Sequence, residues 1–430
     1  STDGKEVGGL ELGELKTYGP SPLLCLMAGG WSRFAHRFSE YYDSISTDSI
    51  WTPPRLRNRE WMFIPWGGAP PDRHRAFHDK TSLHSYLKSR APHSCFHSTA
   101  YYQDPSKGKM VEKGWLGADL IFDLDGDHLP GVSDNDFPSM INVIQGQAWR
   151  LWNEFLEPEF GFKQKYAQFT FSGHRGFHIH LRDPSLLHLD SNARREIVNY
   201  IRGEGIDIQS TINADSGWGK RAIDGIDSTL GQLSQISSGK EGKTHTLDQL
   251  HEIIKTRSKS PNVNLKSSSK ASIEELAKLA DGRDEFALDR ISRLKDNPSL
   301  EVFGKLTPLF WELVKGDSSV VIGTAGETDE VVTVDVKRVI RWVGSLHGKS
   351  GLKVTELPLN RLDPDSSNCF DPLKEAVVFT GGSAKVRILA EDVCARISGE
   401  QIEPSLGDEL IVKESMAMFL CLKGWAEICK

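Results

Sequence analysis

The feature that most constrains this chain is a pair of carboxylates set into an apolar run. Residues 118–125 read ADLIFDLD, and a strand through them turns Asp123 and Asp125, two residues apart, to the same face. Two like charges so placed repel each other and lose hydration, which is unfavourable unless a cation lies between them. Oxygen-only ligands favour a hard ion such as Mg²⁺ or Mn²⁺, and a D-x-D pair with a third carboxylate often holds two ions in phosphoryl transfer. A strand end whose aspartates cap a turn or face water carries the same letters, so other segments must decide.

At 430 residues the chain is too long for one typical core and has room for two or three lobes. Its 52 Lys and Arg against 59 Asp and Glu leave a net charge of −7, which does not exclude one local basic face. No run of about 18 apolar residues exists, which argues against a membrane span or a secretory leader. The six cysteines (Cys25, Cys95, Cys369, Cys394, Cys421, Cys429) lack C-x-x-C spacing, the usage of reduced thiols in a cytosolic compartment.

The pattern predicts a helix over Phe34 to Tyr42 and an extended segment from Arg55 to Trp66. Pro138 and Ser139 open another helix, with Ile141, Ile144, Ala148, Leu151 and Phe155 recurring at threes and fours until Pro158. Gln168 to Phe171 and Phe177 to Arg182 read as a hairpin in which Phe177, Ile179 and Leu181 alternate with His178, His180 and Arg182. The turn between them, Ser172-Gly173-His174-Arg175-Gly176, suits a phosphate. Its glycines let backbone N–H groups approach an anion while a hydroxyl, an imidazole and a guanidinium converge on the oxygens. An ordinary Gly-rich turn with a solvated arginine is the plain alternative. His178 and His180 share a face, as zinc ligands would, yet no Cys or third His lies at a matching spacing.

A third cluster runs from Asp329 to Asp335 and on through Lys337, Arg338, Arg341, His347 and Lys349. Thr333 is placed to cap a short helix carrying Arg338 and Arg341 on one face; a solvated basic stripe is the plain reading. Leu233 to Ser272, rich in Ser and Lys, reads largely as an inserted mobile segment. Helix resumes with a capping box of Ser272 and Glu275, and Phe303 to Val314 follows as another. The tail from Ala390 to Lys430 reads as two or more helices.

Taken together, these segments resemble the small catalytic subunit of archaeal and eukaryotic DNA primase, and its archaeal branch most. Arg59 to Phe63 is similar to the family's R-E-F-x-F segment, with Tyr41-Tyr42 upstream resembling its paired tyrosines. Tyr101 to Pro105, then Gly114 to Asp125, resembles the approach to its metal site. Ser172 to His178 resembles S-G-x-R-G-x-H, and Val332 to Leu352, with Ser345-Leu346-His347-Gly348-Lys349, resembles R-x-I-R…S-L-H-x-K.

The resemblance implies metal binding by Asp123, Asp125 and a third carboxylate, Asp329, with Asp335 as its rival and more naturally a support for the helix. It implies nucleotide contacts from Ser172, His174, Arg175, His178, Arg341, His347 and Lys349, and from Arg59 on nucleotide or template. Two Mg²⁺ or Mn²⁺ ions about 3.5–4 Å apart would serve the attacking 3′-hydroxyl and the triphosphate. The family's Cys-rich zinc knuckle has no counterpart, because residues 127–171 contain no cysteine. No structural zinc is therefore expected, and the helix from Pro138 to Phe155 is expected in its place.

The expected fold is α+β (mixed α/β), a primase-type catalytic core whose mixed, mostly antiparallel sheet carries the metal site. The core is expected over 10–205 and 300–390, an inserted, partly flexible helical subdomain over 206–299, and C-terminal helices packing on the core over 391–430. The implied activity is synthesis of short primers on single-stranded DNA from nucleoside triphosphates, beside a large regulatory primase subunit. That places the chain in the cytoplasm, at replication forks on the nucleoid, without membrane contact. A repair or end-filling polymerase, a template-binding scaffold and a metal nuclease are the alternatives.

Overall fold

A computed structural model describes residues 30–126, 129, 132–213, 215–239, 242–258, 263, 265, 267–281, 285–319 and 332–429. In chain order its first strands are β1 (Trp61–Ile64), β2 (Asp72–Arg75), β3 (Ser94–Ser98), β4 (Ala100–Tyr102) and β5 (Trp115–Ala118). Next come β6 (Leu120–Asp125), β7 (Ala167–Phe171), β8 (Gly176–Leu181), β9 (Val339–Arg341) and β10 (Thr355–Leu357). The last are β11 (Ser383–Ile388), β12 (Ala395–Ile397), β13 (Glu400–Ile402), β14 (Glu409–Lys413) and β15 (Ala426–Ile428).

Two four-stranded sheets, ordered β2-β1-β3-β9 and β10-β7-β8-β6, form the α+β core. The sheet with the acidic pair is wholly antiparallel rather than mixed. Only β7 and β8 are joined by a hairpin; β6 reaches β7, which lies two strands away and parallel to it, through a crossover that carries the Phe137–Leu151 helix. Alternation divides its faces. Leu120, Phe122, Leu124, Phe177, Ile179 and Leu181 are buried in the core, where the Phe137–Leu151 helix packs across β6 and β8. Asp136 caps that helix by accepting a hydrogen bond from the Ser139 N–H.

Helices dominate between the two halves of the sheet. Along the Gly217–Ser237 helix, Trp218, Ala222, Ile226, Leu233 and Ile236 are buried at helical spacing. It crosses the Thr307–Ser318 helix at Gly225, where a Cβ would lie 2.5 Å from the Ser318 hydroxyl. No described helix is long and apolar enough to cross a membrane.

Several expectations need correction. The described part of the Ser/Lys-rich stretch holds a regular element where none was expected: the Lys243–Arg257 helix, which buries Leu247, Leu250 and Ile254 against its neighbours. Its apolar stripe is only three residues deep, so the polar composition hid it. The next helix, Lys270–Ala280, is capped by Ser269 rather than Ser272, which is itself buried in the first turn. No helix follows Thr333. Residues 332–338 are turns leading into β9, the Asp335 carboxylate accepts from the Lys337 N–H, and Thr333 is buried. The run of Val332, Thr333, Val334, Val336, Val339 and Ile340 is β-branched, which disfavours helix.

The C-terminal segment holds more strand than helix among the described residues. β14, β11 and β15 form one sheet, β12 and β13 a hairpin turning at Ser398 and Gly399, both with positive φ. Lys385 and Arg387 point outward to Glu409 on the paired strand while Val386 and Ile388 are buried. The one helix described there, Glu414–Lys423, is buried from Ser415 to Leu422.

Candidate active site

The acidic pair lies at the end of β6, in register with β8. Asp123 faces His178 and Asp125 faces Gly176 across the ladder. His178 Nε2 is 3.2 Å from Asp123 Oδ1, and Arg175 Nε donates to Asp125 Oδ1 at 3.1 Å. Burial acts to raise the pKa of Asp123, but His178, with Arg338 and Arg341 behind it, overcomes this and holds the carboxyl below its usual value. Asp123 is therefore an anion at neutral pH. Gly176 is required here because a Cβ would stand 2.6 Å from the Leu124 carbonyl.

Beside this pair the β7–β8 turn and residues 344–352 interlock. Ser172 closes the turn, its hydroxyl accepting from the Gly176 N–H at 3.1 Å. Gly173 sits at φ +84°, and its carbonyl accepts from the Ser350 hydroxyl. The His347 N–H donates to the Leu352 carbonyl at 2.9 Å, and the Lys349 N–H to His347 Nδ1 at 3.1 Å. The rings of His174 and His347 stack with centroids 4.8 Å apart. Arg341, on β9, lies over the Phe96 ring at 4.7 Å.

Burial, reinforced by Lys423, Arg175, Lys349 and Arg341, holds the pKa of His174 well below its usual value. Burial with Arg341, His174, His93 and Lys349 does the same for His347. Both imidazoles are thus neutral at neutral pH, and the positive charge belongs to Arg175, Arg341, Lys349 and Lys423. Such a group, built around two neutral rings and a glycine turn, suits an anion with several oxygens.

The structure joins these two groups through two arginines. Arg175 bonds Asp125 and acts electrostatically on His174, while Arg341 acts on both Asp123 and His347. Asp123, Asp125, Ser172, His174, Arg175, His178, Arg341, His347 and Lys349 therefore come together from four separate segments. Asp329 lies outside the described residues. Asp335 Oδ1 accepts from the Lys337 N–H at 2.8 Å. Among the described residues no three His, Cys, Asp or Glu side chains are arranged to hold a metal ion.

Arg59 does not belong with them. It is 0% exposed, donates to the Ser98 and Thr99 carbonyls at 2.9 and 2.7 Å, pairs with Asp119 at 2.8 Å, and lies over the Tyr101 ring. Its position is structural. Lys423 and His93 are participants that the motifs did not reveal. His93 packs so closely under Gly348 that a Cβ there would fall 2.1 Å from its ring. Lys423 follows every recognisable motif and had no local signal at all.

An α+β protein with an acidic strand end wired to a cationic cradle belongs to the phosphate-handling proteins in its chemistry. Residues 122–358 match the family model described as DNA primase small subunit, spanning both groups. The chain is 35% identical over 404 residues to a DNA primase small subunit PriS of Methanocella arvoryzae, covering 91% of this chain and 96% of that one. It is 36% identical to that of Methanothrix thermoacetophila over 91% of this chain and 97% of the relative. Against that of Haloarcula marismortui the identity is 31%, over 91% and 96%. The chain belongs to the DNA primase small subunit family.

Proposed function

We propose that this chain is the catalytic primase subunit that joins nucleoside triphosphates into short primers on a single-stranded DNA template. The observation that carries the reading is the Asp123/Asp125 face linked through Arg175 and Arg341 to the His174/His347 cradle. An acidic pair alone would serve a nuclease; a cradle beside it serves a substrate with a polyphosphate tail.

The two carboxylates fit a hard divalent cation, since both are oxygen donors on one strand face and Asp123 is held ionised. Asp123 and Asp125 would hold Mg²⁺ or Mn²⁺, with Asp329 as the third ligand. A divalent ion there would supply charge neutralisation of the phosphates and activation of the attacking 3′-hydroxyl. The protein's own groups do the rest. Arg175, Arg341 and Lys349 bind and orient the phosphate tail, and His347 and His174, kept neutral, line it. His178 fixes the Asp123 carboxylate through its Nε2 contact. A large regulatory subunit and single-stranded DNA are the partners this reading requires.

The test is template-dependent synthesis by the purified chain on unprimed single-stranded DNA with Mg²⁺ or Mn²⁺ and all triphosphates. New oligonucleotides from the wild type, absent with Asp123→Asn/Asp125→Asn, support the reading. Extension confined to annealed primers would favour an end-filling polymerase, and degradation without triphosphates a nuclease.

A further inference from the structure

The C-terminal helix ends in a half-buried side chain whose ammonium reaches the cradle. Lys423 Nζ lies 3.1 Å from His174 Nε2, and His174 is stacked on His347. The ammonium is held over two aromatic rings, 5.2 Å from the centroid of Phe137 and 4.6 Å from that of Trp425. Residue 423 lies 65 positions beyond the last residue of the family match, 358, in a segment with no motif (423 − 358 = 65).

A lysine in the last turn of a helix has an ordinary explanation, since it complements the negative end of the helix dipole. That explanation needs only a solvated ammonium near the last carbonyls. It does not account for the aromatic seat or for the bond to a ring that is itself buried in the cradle. Because an ammonium has no acceptor capacity, Lys423 donates and His174 Nε2 accepts, so the proton of the neutral ring sits on Nδ1.

We propose that Lys423 is a phosphate-binding residue, contributed by the C-terminal module to the tail of the nucleoside triphosphate. Its charge joins those of Arg175, Arg341 and Lys349 around the His174/His347 stack, and its bond to His174 fixes that ring's tautomer. The inference rests on the triphosphate reading given above. It also makes nucleotide affinity depend on the seating of the C-terminal sheet and helix against the catalytic sheet.

The experiment is equilibrium titration of the full chain with ATP, ADP and AMP in Mg²⁺, for the wild type, Lys423→Met, Lys423→Gln and Lys423→Arg. Lys423→Met should weaken ATP about ten-fold, the scale of one charge-assisted bond, and leave AMP within two-fold. Lys423→Gln keeps a donor for His174 without the charge and should lose most of the same affinity, while Lys423→Arg should stay within about three-fold of wild type. In steady state KM for triphosphate should rise with kcat nearly unchanged. ATP binding by Lys423→Gln equal to wild type would overturn the proposal, and that variant decides the matter if Lys423→Met does not fold. A wild type that binds ATP no better than AMP would instead remove the triphosphate reading itself.

Discussion

His178 Nε2 stands 3.2 Å from Asp123 Oδ1, and the two residues are directly paired across the β6–β8 ladder. The Ser172–Gly176 turn and the acidic strand are therefore not merely neighbours. Each step in the β8 register that positions the turn also positions a partner for a carboxylate.

Asp123→Asn should abolish primer synthesis, a loss of about a thousand-fold or more, because a neutral amide cannot replace an anionic oxygen ligand. Circular dichroism and thermal melting should show the fold intact, as the residue lies on the polar face of the strand. Substantial synthesis by this variant would remove Asp123 from the machinery.

Arg59→Met should destabilise the protein by about 3 kcal/mol, since the buried Asp119 carboxylate loses its closer cation and keeps Arg182 and the Tyr101 hydroxyl. Urea unfolding measures this directly. The KM for triphosphate of the folded protein should be unchanged, and a selective rise in KM would return Arg59 to the nucleotide site.

Gly348→Ala should distort the cradle, because the new Cβ would meet the His93 ring at 2.1 Å. Relieving that contact moves either His93 or the His347–Lys349 segment, at a cost of about 1–3 kcal/mol. Weaker ATP binding together with a lowered melting temperature is expected; unchanged values for both would show that the loop yields freely.

Stability should fall as the solution is acidified below about pH 6.5. Burial, with Arg341 and Lys349, pushes the pKa of His93 down to about 3, and burial, with Arg59, takes His97 to about 3. The unfolded chain then binds more protons than the folded one below its histidine pKa of about 6.5. The contribution is complete above that value and is lost as pH falls through the interval toward the folded values. Each such histidine contributes a slope of about 1.4 kcal/mol per pH unit. Urea midpoints between pH 7.5 and 5.5 measure the trend, and His93→Gln should lower its mean slope over that range by about half a proton. An unaltered slope would mean that His93 is protonated in the folded protein.

Much of the site was readable because its residues are local and periodic. Asp123 and Asp125 share a face for the same reason that His178 and His180 do, and glycines at 173 and 176 mark a turn that backbone must approach closely. Lys423 was not readable, since it meets His174 across 249 residues of chain. The helix at Lys243–Arg257 was obscured by polar composition, and the strands from Ala395 onward by their brevity.

The sequence by itself determined the acidic strand, the Gly-rich turn and the S-L-H-x-K segment, because backbone geometry imposes periods of two and 3.6 on any chain. Only the tertiary structure decided which charges share a site. It sent Arg59 into a fully buried pair with Asp119 and brought Lys423 onto His174. Arginine and lysine look alike in a sequence whether solvated, buried or bound to an anion. Their role depends on desolvation and on charges supplied by distant segments, which exist only once the chain has folded.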